Sequence, residues 1–351
     1  TDLDGNSRPN PAGTVPDMGA YESDKGVDPN YAGPVWYVDG PAGLPYGNGG
    51  PGAPFTTIQA GINASSAGDT VSVKAGTYVE NINYNGKNIA VLGENRETTI
   101  IDGNQNGSVV NIANNETNAF LSGFTITNGT AAYGGGINCT GTDATITNVI
   151  VENNLATSHG GGVVSYGGGS ILNISDSYIR NNICDNCGGG GASVNNGDAT
   201  LNLSNVIINN NTGNVGGGVF CEGGAFLSLN TGEISNNTSS SGGGGIYYGN
   251  TASSTLKHVT ISDNVDNIGG GGLFLGQSSS VIMENSNVLT NLPNNIYFYE
   301  SVPSDTNEII ISYSNIQGGQ DSIVTNNNGT VTWGSGNIDV NPMFVDTANG
   351  N

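Results

Sequence analysis

Hydrophobic residues in this chain fall in short runs where apolar and polar positions alternate. After each of six glycine runs the first and third residues are mostly apolar, as in Ile137 and Cys139 or Val219 and Cys221. A second alternating run follows and ends at an asparagine. Alternation with a period of two is typical of strands that bury one face, whereas helical repeats need longer stretches and fewer glycines. Each repeat therefore predicts short strands joined by tight turns.

Two markers share one period, which indicates a single structural unit stacked on itself. The glycine runs end 26, 29, 27, 27 and 27 residues apart, and the asparagines keep the same phase. Glycine allows positive φ and close approach of successive turns, and turn asparagines tolerate the left-handed region and stack into amide ladders. The glycine runs cover residues 134–136, 160–162, 188–191, 216–218, 242–245 and 269–272, and the asparagines are Asn128, Asn154, Asn182, Asn211, Asn237, Asn264 and Asn291.

The repeats predict an all-β fold, a parallel β-helix whose coils stack into a solenoid. About ten coils make a rod on the order of 50 Å long, at about 4.8 Å per coil. Upstream, Phe55, Ile58 and Ile62 lie at i, i+3 and i+7, which predicts a short amphipathic helix that caps the first coil. We divide the chain into an N-terminal extension at 1–34, a cap at 35–70, the β-helix at 71–335 and a C-terminal segment at 336–351.

The charge of the chain excludes several partners. It has 7 basic and 29 acidic residues and a formal net charge of −22 at pH 7. Such a surface repels nucleic acid, anionic membranes and, unless calcium bridges them, polyanionic glycans. No apolar stretch approaches the length of a membrane span. We therefore expect neither nucleic-acid binding nor membrane insertion.

The four cysteines fall into two pairs. Cys184 and Cys187 lie in a loop before a glycine run, where a disulfide is favoured over a metal site because no second ligand pair exists. An extracellular location permits that disulfide. Cys139 and Cys221 share one inward position three coils apart, roughly 14 Å, which is too far for a disulfide. We interpret them as small core residues.

One set of outward positions is a candidate contact surface. The second residue after the glycine run is Phe220, Tyr247 and Phe274 in three successive coils. In a stack in register, these rings form an exposed ladder at roughly 5 Å spacing. Sugar rings or a neighbouring rod could both use such a stripe. The alternative is that a loop covers it.

Residues 57–62, 68–74 and 76–80 resemble the opening of right-handed β-helix proteins in the pectate-lyase-like superfamily. The Asn-Asn and Gly-Gly-Gly-Ile cadence resembles repeats of polymorphic outer-membrane adhesins. The resemblance covers roughly residues 55–335 and implies a right-handed parallel β-helix. It does not imply an activity, because the superfamily contains lyases, hydrolases, esterases, adhesins and inert scaffolds.

The family motifs of catalysis are mostly missing. Residues 76–80 resemble the start of pectin methylesterases, but the later Gln and Asp motifs of that family are not found. His159 and His258 are isolated, and the basic residues in the middle of the rod, Arg180 and Lys257, lie in different coils. General acid–base catalysis needs paired groups within hydrogen-bond reach. The sequence therefore predicts that the chain is not an enzyme, and it nominates no catalytic residue.

Calcium is the one cofactor that the sequence brings into consideration. Asp2, Asp4 and Asn6 offer oxygen ligands at alternate positions, but they lack the glycine and distal glutamate of an EF-hand.

The two ends of the chain suggest how copies join. Residues 1–8 and 17–22 resemble the closing segment of large secreted bacterial β-helix proteins, and residues 337–345 resemble the motif that leads into such a segment. Either the N-terminal segment of one subunit completes the last coil of its neighbour or the chain is cut out of phase from a tandem array. A proteolytic fragment is the alternative.

These observations predict a secreted protein, extracellular or on the cell surface, with a structural role. The leading hypothesis is a repeating subunit of a fibre, filament or stalk, a head-to-tail homopolymer joined through β-helix ends. The alternative is a glycan-binding adhesin or a carbohydrate-active enzyme, a polysaccharide lyase or hydrolase, with glycans as partners. A passive spacer comes third.

Overall fold

The computed structural model describes residues 31–40, 43, 47–299 and 306–342. Strands of one coil pair in parallel with strands of the next, which confirms the predicted all-β parallel solenoid. The strands form two sheets and are numbered along the chain. The first sheet contains β1 (Val35–Val38), β2 (Thr70–Val73), β3 (Gly76–Val79), β5 (Ala90–Gly93), β6 (Thr99–Asp102), β8 (Ala119–Ser122), β9 (Thr125–Thr127), β12 (Asp143–Thr147), β13 (Ile150–Glu152), β16 (Ile171–Arg180), β19 (Thr200–Asn209), β22 (Phe226–Ser235), β25 (Ser253–Ser262), β27 (Ser280–Glu284), β28 (Asn287–Leu289), β30 (Asn307–Ser312), β31 (Asn315–Ile316) and β32 (Gly329–Trp333).

The second sheet closes the other side of each coil. It contains β4 (Ile82–Asn83), β7 (Val110–Ile112), β10 (Thr130–Tyr133), β11 (Ile137–Thr140), β14 (Leu155–His159), β15 (Val163–Tyr166), β17 (Ile183–Cys184), β18 (Ala192–Asn195), β20 (Thr212–Gly213), β21 (Val219–Glu222), β23 (Thr238–Ser239), β24 (Ile246–Gly249), β26 (Val265–Leu275) and β29 (Leu292–Phe298). One column of this sheet, from β4 through β7, β11, β15, β18, β21, β24 and β26 to β29, passes through about nine turns. The sequence predicts about ten coils. Beyond this column the chain continues through β30, β31 and β32 of the first sheet, and Val324 continues the second sheet only as an isolated bridge to Tyr297.

The core lies between the two sheets, where inward residues stack in register. Ile137 pairs with Val163, and Val163 with Ala192, and all three are fully buried. The period-two alternation therefore identifies the core correctly. Cys139 and Cys221 lie at an inward position, free and buried. Burial raises the pKa of both thiols, that of Cys139 to about 11.

Six of the seven marker asparagines, from Asn154 to Asn291, form the predicted amide ladder, whereas the Asn128 Nδ2 donates to Asp102 Oδ2 at 3.0 Å. The Asn182 Nδ2 donates to Asn211 Oδ1 at 3.1 Å, and the Asn211 Nδ2 donates to Asn237 Oδ1 at 2.9 Å. The left-handed backbone belongs to the preceding residue, as in Asn181 and Asn210 with φ of 54° and 55°. The chain turns at that residue, and the ladder side chain then points into the core. The ladder is therefore structural.

The glycine runs have two mechanical roles. Gly160 has a φ of 67°, which side chains rarely tolerate. Gly162 allows close contact between coils, because a Cβ there would lie 2.6 Å from the carbonyl oxygen of Gly191.

A short helix, α1 (Ile58–Ala64), caps the first coils as predicted. Its apolar side buries Ile58 and Ile62. The Glu80 carboxylate accepts from the backbone N–H groups of Ile58 at 2.7 Å and Gln59 at 3.0 Å. Although burial raises the pKa of Glu80, these N–H groups favour its charged form. The esterase-like segment at residues 76–80 therefore fixes the cap.

A turn of 3-10 helix spans Gln320–Ser322.

Near the middle of the rod, Cys184 and Cys187 form a disulfide with their Cα atoms 5.1 Å apart.

Some expectations lie beyond the part of the chain that the structure describes. The calcium ligands Asp2, Asp4 and Asn6 lie outside the described residues, as do the closing-type segments at residues 1–22. Among the described residues, no group of three or more His, Cys, Asp or Glu side chains could hold a metal ion. In the same residues, no helix is long and apolar enough to cross a membrane. The domain boundaries stay predictions.

Candidate functional site

The three aromatic residues singled out in the sequence do stack. The ring centroids of Phe220 and Tyr247 are 5.3 Å apart, and those of Tyr247 and Phe274 are 5.2 Å apart. Exposure, however, was wrongly predicted, because Phe220 and Phe274 are only 4% and 3% exposed. Phe220 lies against a glycine loop, where a Cβ on Gly188 would lie 2.7 Å from its ring. The rings are therefore packed against the rod, and their use as a contact surface stays a prediction.

The stack is part of a longer aromatic row along the second sheet. Its members are Tyr133, His159, Tyr166, Phe220, Tyr247, Phe274, Tyr297 and Tyr299. Its ends reach the surface, where Tyr133 is 38% and Tyr299 is 44% exposed. Ser193 precedes Phe220 in the strand register, so the row has no ring at that position. The His159 Nδ1 and Ser193 Oγ atoms are buried without a hydrogen-bond partner in the described structure. Burial lowers the pKa of His159 and favours its neutral form.

The outer face of the first sheet carries a different surface, which we call the polar groove. Its volume is about 240 Å³. Two columns of outward side chains line it, and the backbone of Ile174 and Leu203 lies between them. One column is Thr145, Asn173, Asn202 and Ser228, and the other includes Ser175, Ser204 and Asn230. The groove crosses four successive strands, β12, β16, β19 and β22, a length of about 14 Å.

Part of the hydrogen-bonding capacity of the polar groove is unused. The Asn202 Nδ2 donates to Asn173 Oδ1 at 2.9 Å, and the Ser175 hydroxyl donates to Thr147 Oγ1 at 2.9 Å. Within the described residues, the Asn173 Nδ2, the Asn202 Oδ1 and the Ser228 hydroxyl have no protein partner. These groups face solvent, so a ligand could bond to them without breaking a contact inside the protein.

An apolar strip borders the groove on one side. Phe226 lies two residues before Ser228 on the same strand face and is 37% exposed. In the strand register it follows Thr200 and Ile171, and Ile171 is 39% exposed. An exposed ring beside hydroxyl and amide groups offers both stacking and hydrogen bonding to one ligand.

Two carboxylates flank the polar groove but do not form a catalytic pair. The Asp143 Oδ1 accepts from the Ile171 N–H at 3.0 Å, and the Asp176 Oδ1 accepts from the Asn205 Nδ2 at 2.8 Å. Asp143 pairs with Ile171, five residues before Asp176, so the backbone positions of the two aspartates are about 16 Å apart along an extended strand. Two-carboxylate glycosidases place theirs about 5–9.5 Å apart. We assign no catalytic role to these residues.

Sequence reasoning missed a cluster around Tyr178, in which Arg96 and Arg180 lie 4.8 Å and 5.8 Å from the ring centroid. The Arg96 Nη1 donates to the carbonyl oxygen of Asp176 at 2.9 Å across 80 residues of sequence. The Arg180 Nε donates to the Glu152 carboxylate at 2.7 Å. Because protein groups already engage both guanidinium groups, the cluster braces neighbouring coils. No sequence pattern links Arg96 with Asp176, because they come together only through the register of the coils.

Comparison with solved structures finds the same fold. The complex of XylC with xylose aligns with a TM-score of 0.55 at 10% identity, over 81% of this chain and 76% of that one. Pectin methylesterase from carrot aligns with a TM-score of 0.46 at 15% identity, over 87% and 90%. The deglycosylated pectin methylesterase from Aspergillus niger aligns with a TM-score of 0.39 at 16% identity, over 84% and 89%. No protein-family model and no curated protein sequence matches the chain.

These findings define the fold class of the chain. It is a parallel β-solenoid, consistent with a right-handed β-helix of the pectate-lyase-like type, which confirms that resemblance. At such low identity the likeness shows the fold alone.

The comparisons correct one expectation. The chain was expected not to be an enzyme because family motifs are missing from its sequence. Structures with its fold, at only 15% and 16% identity, are pectin methylesterases, which are enzymes. This finding contradicts the expectation, which is therefore wrong, but it assigns no activity to this chain.

Proposed function

We propose that this chain is a carbohydrate-active β-helix protein that binds a glycan in the polar groove. The observation that carries the proposal is the set of hydroxyl and amide groups without protein partners, beside the exposed ring of Phe226. Sugars present hydroxyl groups that both donate and accept, and amide and hydroxyl side chains match them. The fold also accommodates a sugar in XylC, which was solved with xylose.

The same proposal covers where the protein works. The Cys184–Cys187 disulfide fits an oxidising compartment, so we place the protein outside the cell. The fibre hypothesis depends on terminal segments that include residues 1–22, which lie outside the described residues, and it stays a prediction.

A binding screen tests the proposal. The purified chain is tested by affinity electrophoresis against soluble xylan, glucan, mannan, galactan and galacturonan. Bound glycans are then incubated with the protein and assayed for new reducing ends and for ester hydrolysis. We expect retardation by at least one glycan. Binding to none would contradict the proposal, and turnover of a bound glycan would extend it to an enzymatic activity.

A double variant locates the site. Asn202→Ala with Ser228→Ala removes two groups that face the groove, and we expect binding to weaken about thirtyfold, since each hydrogen bond contributes roughly 1 kcal/mol. Ser280→Ala is the matched control, because Ser280 lies on the same sheet two coils beyond Phe226 and outside the groove. Unchanged affinity of the double variant would place the glycan elsewhere.

A further inference from the structure

We infer that the polar groove takes a neutral glycan, a chain without carboxylate or sulfate groups, laid along the rod axis. This inference rests on the proposed function and adds the chemical class and the direction of the ligand. The residues that line the groove are serine, threonine, asparagine, isoleucine and leucine, and none is charged.

The charges beside the groove also oppose an anionic ligand. Asp143 and Asp176 flank it, and the first cation along its second column, Lys257, pairs with Glu284 at 3.1 Å. The flanking charge is therefore negative or balanced. An anionic sugar would meet repulsion there, in addition to the net charge of −22 of the whole chain.

The cations of the described residues are already engaged. Proteins recognise carboxylate and sulfate mainly through arginine and lysine. Lys74, Arg96, Arg180 and Lys257 each pair with a carboxylate, at 3.2, 3.3, 2.7 and 3.1 Å. The Lys87 Nζ donates to three backbone carbonyl groups around the end of α1. An acidic sugar that binds any of these residues would have to compete with a carboxylate or carbonyl group already in contact with it.

The described residues also offer no calcium site that could bridge the protein to an acidic glycan. No group of three or more acidic, histidine or cysteine side chains among the described residues could hold the metal. The groove itself offers amide and hydroxyl oxygens but no carboxylate. Calcium sites in proteins use carboxylates among their oxygen ligands.

The shape of the groove sets the direction of the ligand. Its two side-chain columns run from coil to coil and stand on either side of the Ile174 and Leu203 backbone. A ligand that lies between the columns therefore runs parallel to the rod axis. It meets one new set of side chains per coil, at about 4.8 Å intervals.

A matched pair of ligands tests the chemical class. On the backbone that binds best in the screen, we compare a form in which the sugars carry carboxylates with the neutral form of the same linkage and length. Isothermal titration calorimetry at low salt should give at least tenfold tighter binding of the neutral form. The difference should shrink at high salt, because screening weakens the repulsion. Equal or tighter binding of the acidic form would overturn the inference and leave the proposed function intact, whereas no binding in the whole screen removes both.

A charge placed in the groove tests the location. Ser228→Lys adds a cation that faces the ligand, and we expect it to reduce the preference for the neutral form severalfold. Ser280→Lys adds the same charge outside the groove and should leave the preference nearly unchanged. Equal effects of the two variants would overturn the placement in the groove.

Oligosaccharide length tests the direction. Affinity should rise with length until the ligand spans about 14 Å, the four coils of the groove, and then level off. A monosaccharide that binds as tightly as the oligomers would overturn the axial placement.

Discussion

Each sheet of this solenoid carries rows of outward side chains that recur from coil to coil, but the row on the second sheet is largely buried and the rows on the first sheet face solvent. On the second sheet Phe220 and Phe274 lie in an outward register position and are nevertheless buried. On the first sheet Ser204 and Asn230 lie in an equivalent position and are exposed. The difference comes from the loops, since glycine loops pack against the rings and no loop of the described residues covers the polar groove in the same way. Position on a strand face therefore does not decide exposure; the neighbouring loop does.

The largest expected effect is a difference in unfolding free energy between a variant of the aromatic row and a variant of the polar groove. Phe220→Ala removes a buried ring and should cost about 3–5 kcal/mol of unfolding free energy. Ser228→Ala should change the unfolding free energy by less than about 0.5 kcal/mol and should weaken glycan binding. Urea unfolding of both variants, with calorimetric binding at a temperature where both are folded, separates these effects.

Tyr133→Ala is the control for the aromatic row, because its ring lies at the exposed end. It should destabilise the protein much less than Phe220→Ala does. If Phe220→Ala abolished glycan binding in the folded state while Ser228→Ala had no effect, the roles that we assign to the two rows would be reversed.

A second, smaller effect tests the explanation by glycine loops. Gly188→Ala places a methyl group 2.7 Å from the Phe220 ring and should cost about 1–3 kcal/mol through overpacking. Gly168 is the matched control, because a Cβ there meets nothing within 4 Å and its φ is not in the left-handed region. Gly168→Ala should be neutral or slightly stabilising. Similar thermal unfolding of the two variants would mean that loop contact does not hold the ring in place.

Much of the fold follows from the sequence because its markers recur at a fixed period. The glycine and asparagine markers predict the parallel solenoid, and the hydrogen bond between Asn182 and Asn211 confirms the ladder. Local corners are harder to predict: the left-handed residue is Asn181, one position before the ladder residue, and either position suits an asparagine.

The candidate site could not be predicted in the same way. Asn173, Asn202 and Ser228 come together only when the strand register is known, and such residues are common throughout this chain. The contact between Arg96 and Asp176 spans 80 residues of sequence. The burial of Phe220 depends on the path of a loop, which hydrophobic alternation does not encode.

The smallest expected effect concerns pH, which distinguishes the two rows because only the aromatic row contains a histidine. Burial lowers the pKa of His159 below its usual value near 6.5, so the unfolded chain binds a proton more readily than the folded chain. Its contribution to stability is therefore present above about pH 6.5 and is lost as the pH falls toward the folded pKa. His159→Gln should flatten this part of the stability–pH curve, measured by urea unfolding between about pH 5 and 8. His258→Gln, at an exposed position within β25 where φ is 55°, is the comparison variant. A curve that keeps its shape in His159→Gln would mean that the aromatic row responds to pH no more than the polar groove does.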